Sequence, residues 1–100
     1  MFFAWNDQND DRIAKHRVER FEAEQVVRSA RRPYPRRVGH QKYMVKGSTA
    51  AGRWLQVIYV RRVAEAIRME DVDIADRAAL SAGEPAVYVI HPRDLRPRER

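Results

Sequence analysis

The chain has no cysteine. A disulfide scaffold, a thiol nucleophile and a cysteine-held zinc site are therefore excluded. Glycine is scarce, with four residues, and none sits in the strand-to-helix loop that cradles a phosphate. Gly47 and Gly52 instead bracket a turn-rich stretch, Gly47-Ser48-Thr49-Ala50-Ala51-Gly52. The three histidines, His16, His40 and His91, have no metal-ligand spacing. Ser29, Ser48 and Ser81 lack the context of a nucleophile elbow. No apolar run approaches the roughly 18 residues of a membrane span. The start MFFAWNDQNDD has neither the basic region nor the long apolar stretch of a secretory signal. The expectation is a small soluble cytoplasmic protein, without repeats, without a cofactor and without a metal.

Charge is abundant and unevenly spread. The 100 residues, a single-domain length, carry 20 Lys+Arg against 14 Asp+Glu, a net +6. Residues 31–46 hold six of the bases, Arg31, Arg32, Arg36, Arg37, Lys42 and Lys46, and no acid. Residues 61–84 hold six acids against four arginines, an acidic interruption. The C-terminal stretch from residue 85 is basic again. A basic run is most often a solvated face. A field concentrated in one segment also suits a polyanionic partner, so these six cations are candidate RNA-binding residues.

Apolar spacing gives the elements. Phe2, Phe3 and Trp5 form an apolar start suited to a short strand. Asn6 or Asp7 can cap a helix reaching about His16, because an Asx side chain accepts from free first-turn amides. Phe21, Ala23, Val26, Val27 and Ala30 mark one buried face of a second helix over about 20–29, which Pro33 and Pro35 end in an extended link. Strands follow at 41–46, 53–60 and 86–90. The second is apolar on both faces, with Trp54, Ile58 and Val60 on one and Leu55, Val57 and Tyr59 on the other, which predicts a central strand covered on both sides. A weak helix after Asp71 ends at Gly83. Pro97 opens a last helical stub. The order predicts an α+β fold: an antiparallel sheet of three to four strands, two N-terminal helices packed on it, and an acidic, partly helical insert at about 62–85.

One cluster departs from bland packing. The stretch from His91 to Arg100 begins where a buried strand ends, and side chains at a strand exit are held by the sheet yet reach solvent. Arg93 offers a planar fork matched to a phosphate. His91 can carry a proton near neutral pH, and Glu99 could serve as a base. Tyr59 and Tyr88 are core candidates that could instead stack on a base. Such a set suits RNA cleavage, which requires deprotonation of a 2′-OH, neutralisation of the phosphorane and protonation of the leaving 5′-oxygen.

Three stretches carry a family likeness. They are Phe3-Ala4-Trp5-Asn6 with Ile13-Ala14-Lys15-His16-x-Val18, then Glu22-Ala23-Glu24-Gln25-Val26-Val27, then Lys46-Gly47-Ser48-Thr49-x-x-Gly52-Arg53-x-Leu55-x-Val57. With Tyr88-Val89-Ile90-His91-Pro92-Arg93-Asp94-Leu95, their order resembles the BrnT-type toxins. The resemblance implies a RelE-like fold and a metal-independent endoribonuclease of a type II toxin–antitoxin pair. Its partners would be RNA and a cognate antitoxin, with DNA reached only through that antitoxin. Carried over by position, Arg93 matches the arginine of an A-R motif, Glu99 and Arg100 an E-R pair, Arg53 the hairpin arginine and Lys42 a basic position early in the first core strand. The 62–85 insert stands where relatives have a short turn. The competing readings are a non-catalytic protein of the same fold that binds RNA or a protein partner, and a purely structural small domain.

Overall fold

A computed structural model describes all of residues 1–100. Helices α1 (Asp7–Lys15) and α2 (Arg20–Arg28) precede an antiparallel sheet of β1 (Arg36–Gly39), β2 (Lys42–Ser48), β3 (Trp54–Arg62) and β4 (Ala86–Asp94). The spatial order is β1-β2-β3-β4, so β3 is central. Between β3 and β4 run three single-turn 3₁₀ segments and the short helix α3 (Arg77–Ser81), and a further 3₁₀ turn spans Pro97–Glu99. The predicted α+β architecture with its partly helical insert is the one observed.

Local chemistry fixes the helix ends. Asn6 caps α1: its Oδ1 accepts from the amides of Gln8 and Asn9, and the Asn9 side chain accepts from Asn6 N–H at 2.8 Å. Asn9 is fully buried, and its Nδ2 donates to Ala4 O at 3.0 Å. Tyr88 OH donates to Asn6 Oδ1 at 2.9 Å, which ties this cap to β4. The α3 end is closed by Gly83, whose φ of +103° suits only a residue without Cβ strain. Its amide donates to Leu80 O and that of Glu84 to Ala79 O, so two free carbonyls are satisfied. Val72, expected within this helix, instead pairs its backbone with Ala4.

Two cores lie on opposite faces of the sheet. On the helix side, Ala23, Val26 and Val27 of α2 and Ile13 of α1 pack on Val45, Leu55, Val57, Tyr59, Val87 and Val89. The N-terminal segment runs along β4, with Ala4 N–H on Val87 O and Val87 N–H on Phe2 O, both at 2.9 Å. Its side chains alternate, so Phe3 and Trp5 join the helix-side core while Phe2 and Ala4 join the second. That second core, with Val72, Leu80, Ala86 and Tyr88, is built by the insert, which also covers Val60 and Ile90. The insert stops there. Trp54, Gln56 and Ile58, further down the same face of β3, are only half-buried.

This corrects one expectation. Leu55, Val57 and Tyr59 are buried on the helix side, whereas Trp54, Gln56, Ile58 and Val60 on the other, open face are all half-buried, and of these only Val60 packs against the second core. A second difference is β1, four exposed residues that pair with Lys42–Met44 where a plain extended link was expected. In β4 a bulge at Ile90 separates the Tyr59–Val89 pair from the Ile58–His91 pair. Leu55→Ala should cost about 2–5 kcal/mol, since it leaves a sealed cavity. Ile58→Ala should cost only about 1 kcal/mol, since water already reaches that face. Urea unfolding of the two variants checks the difference.

Candidate functional site

Cross-strand register places three polar side chains in one row on the open face. Lys46 pairs with Gln56, and Gln56 with Arg93, so side chains from β2, β3 and β4 point the same way. The next row holds Arg36, Met44 and Ile58. Below lies Trp54, with the Arg100 guanidinium 6.0 Å from its ring centre.

The end of β4 and the turn after it hold Arg93 in a defined pose. Its Nη1 and Nη2 donate to the two Glu99 carboxylate oxygens at 3.0 and 2.8 Å, a bidentate pair. Nη2 also lies 3.4 Å from Gln56 Oε1. Glu99 accepts in addition from Arg96 N–H at 2.9 Å, which closes the 3₁₀ turn. The Arg93 hydrogen bonds, then the Arg96 amide, hold the Glu99 carboxyl down at about 2. Glu99 is therefore a weakly basic carboxylate that fills the Arg93 fork, and a poor proton acceptor.

His91 is exposed, and its ring meets that of His16 edge-on at 5.2 Å. Partial burial first, then the charges of His16 and Arg93, push its pKa below the ordinary histidine value. Neutral imidazole is thus its main form at neutral pH, which suits a proton acceptor two residues from Arg93.

The other sequence candidates are dispersed. Lys42 shares the open face but pairs with Val60, about 13 Å along the strand from Lys46. Arg53 is on the opposite side, beside Leu55, and is fully engaged. Its Nε and Nη2 hold Asp94 at 2.9 and 3.1 Å, Nη1 holds Glu22 at 3.1 Å and Arg17 O at 2.7 Å, and Nη2 holds His16 O at 3.0 Å. Arg53 is thus a structural clamp with no donor left for a substrate, and it is not brought together with Arg93. Of the basic run, Arg36 reaches the open face and lies over Tyr34, while Arg37 donates to Gly39 O. Arg31 and Arg32 line a groove of about 780 Å³ beyond the edge of β2, together with Lys46 and Trp54.

Two members of the open face were missed in the sequence. Trp54 was read as core, and Gln56 was not singled out, although it is the one polar residue within the apolar run Trp54–Val60. No group of three or more histidine or acidic side chains converges to hold a metal ion. No helix is long and apolar enough to cross a membrane. The chain matches no protein-family model, no curated protein and no solved structure.

Two outcomes are expected. Arg53→Ala should lower stability by about 2–3 kcal/mol, because it strips partners from two carboxylates and two carbonyls at once; chemical denaturation measures this. Glu99 has a folded pKa depressed from 4.5 to about 2, so its tether is complete above the ordinary carboxylate range and is lost as pH falls through that window. Carboxyl-carbon NMR titration should give a midpoint near 2, moving back towards 4.5 in Arg93→Gln.

Proposed function

We propose that the open sheet face binds single-stranded RNA and cleaves it without a metal, as a toxin of a type II toxin–antitoxin pair acting in the cytoplasm. The observation that carries this reading is the row Lys46–Gln56–Arg93 across three strands, flanked by Trp54. Cations spaced along a sheet suit a phosphate backbone, and a half-buried indole at its margin suits a stacked base. The likeness of the hairpin and strand-end motifs to BrnT-type toxins supports the same reading. It names a cognate antitoxin as the protein partner, with DNA contacted only through it.

The chemistry follows from placement. Arg93 and Lys46 neutralise the phosphorane formed when a 2′-OH attacks the neighbouring phosphorus. His91 takes the 2′-OH proton and returns it to the departing 5′-oxygen, leaving a 2′,3′-cyclic phosphate and a 5′-OH. A positioned proton carrier contributes about 10²–10⁴-fold and a preorganised charge about 10²–10³-fold. Arg93 must release Glu99 to take up the phosphate. Glu99 acts on the availability of Arg93 and carries no proton.

A labelled single-stranded RNA incubated with the protein in EDTA should be cut, and 2′-O-methylation at the cleaved nucleotide should block the cut. Arg93→Ala should slow cleavage by about 10²–10³-fold with folding unchanged. Lysine at 93 should rescue in part, since an ammonium lacks the fork. Binding should weaken with salt, with a log–log slope of about −1.4 for the two phosphates met by Lys46 and Arg93. Inducible expression in a bacterium should arrest growth. A second reading, an RNA-binding domain without catalysis, is favoured by the occupied Arg93 fork. It prevails if RNA binds with this salt slope but stays intact even with Glu99→Gln.

A further inference from the structure

We propose that the free edge of β2 at Lys46–Ser48 is a docking site for an extended, acidic segment of a partner protein, which adds to the sheet as a further strand. β1 pairs with β2 only as far as Met44, so the rest of β2 has no neighbour on that side. The direction of its backbone groups follows from the ladder. Gln41 O accepts from Arg61 N–H and Thr49 N–H donates to Arg53 O, so the odd-numbered residues face β3. In an antiparallel pair the alternate residues face away. The N–H and C=O groups of Lys46 and Ser48 therefore point outward, and neither residue bonds to any group on that side.

The space beyond this edge is the 780 Å³ groove, walled by Tyr34 and Trp54 and floored by the edge itself. Its lining includes Arg31, Arg32 and Lys46 and no acidic residue. None of these three cations is in an ion pair. An unpaired edge with alternating donors and acceptors is a template for another strand, and side-chain pockets beside it set specificity. A nucleic acid supplies no such alternation at strand spacing, so the edge favours a peptide. A second copy of this chain would bring the same three cations against themselves, which leaves a partner with carboxylates. Its side chains on the open face would meet Lys46 and Trp54, those on the other face would meet Tyr34, and Arg31 and Arg32 in the groove lining would face its carboxylates. Such a segment would also sequester Lys46, one end of the open-face row, although the docking itself requires no activity toward RNA.

The test uses the intact protein and a capped peptide, acetyl-Val-Asp-Val-Asp-Val-Asp-amide. In the free protein, amide hydrogen exchange should be fast at Lys46 and Ser48 and slow at Val45 and Gly47. Saturating peptide should slow exchange at Lys46 and Ser48. A peptide N-methylated at alternate residues should bind at least about tenfold more weakly, because the edge hydrogen bonds are lost. A peptide with Lys for Asp should not bind, and Arg31→Glu with Arg32→Glu should abolish binding of the acidic one. The proposal is overturned if Lys46 and Ser48 still exchange fast at saturation or if the N-methylated peptide binds equally well. It is also overturned if an oligouridylate, and not the peptide, protects those two amides.

Discussion

The fold turns on the guanidinium of Arg53. Five N–H donors meet five acceptors: two oxygens of Asp94 at the end of β4, one of Glu22 in α2, and the carbonyls of His16 and Arg17 where α1 ends. Every element that meets at this corner of the sheet is thereby fixed to the start of β3. The contact also explains a local oddity. Arg17 has a left-handed φ of 55°, uncommon for a residue with a Cβ, and its carbonyl is one of the clamped groups. Glu22 serves twice, since the oxygen that meets Arg53 also accepts from the Glu19 amide that opens α2.

The two faces of the sheet divide labour. The helix side is dry and holds the clamp. The other face of β3 is half-buried along its length, and the insert packs against it only at Val60. Four of the insert's acids, Glu70, Asp71, Asp73 and Asp76, line a cleft with Phe3, Trp5 and Arg20, away from the row of Lys46, Gln56 and Arg93. The carboxylate that does reach this row, Glu99, stands where a phosphate oxygen pair would stand against a guanidinium. The open face therefore has its charge partly answered from within, which keeps a strongly basic chain from presenting a bare arginine fork to every passing anion.

Much of this was legible from residue order. The cap of α1, the apolar face of α2 and strands β2 to β4 are written in residue order, except that Phe21, expected on the buried face of α2, is 60% exposed because it lies off the stripe of Ala23, Val26 and Val27. β1 was not legible, because Arg36-Arg37-Val38-Gly39 has no apolar alternation and is held by backbone pairing alone. The open face was misread because apolar residues on both sides of β3 imply two covers, whereas Trp54 and Ile58 are half-wet. The missing cover could not be seen in an insert of 3₁₀ turns, which has no period to follow. Arg53 was grouped with the site through the likeness of its hairpin to that of BrnT-type toxins. Its separation of two residues from buried Leu55 already put it on the helix side. His91 and Arg93 were read as lying beyond a strand ending at Ile90, but β4 continues through both to Asp94, and Glu99 was given a basicity that its own contact with Arg93 removes.

The bulge at Ile90 makes β4 two half-strands of opposite parity. Val89 faces the helices, and by simple alternation Arg93, four residues on, would face them too. The unpaired residue resets the count, so Arg93 turns to the open side while Asp94 turns to the clamp. One inserted residue thus serves both ends of the molecule's economy of charge. Pairing all nine residues of β4 without the bulge would send the guanidinium of Arg93 into the helix layer and Asp94 out to the solvent face, so the clamp and the exposed fork would be lost together, whereas a strand lacking Ile90 would keep both in place. The two features are phase-locked: a one-residue slip of register exchanges them, and the bulge is what lets nine residues of β4 run against eight of β3 without that slip.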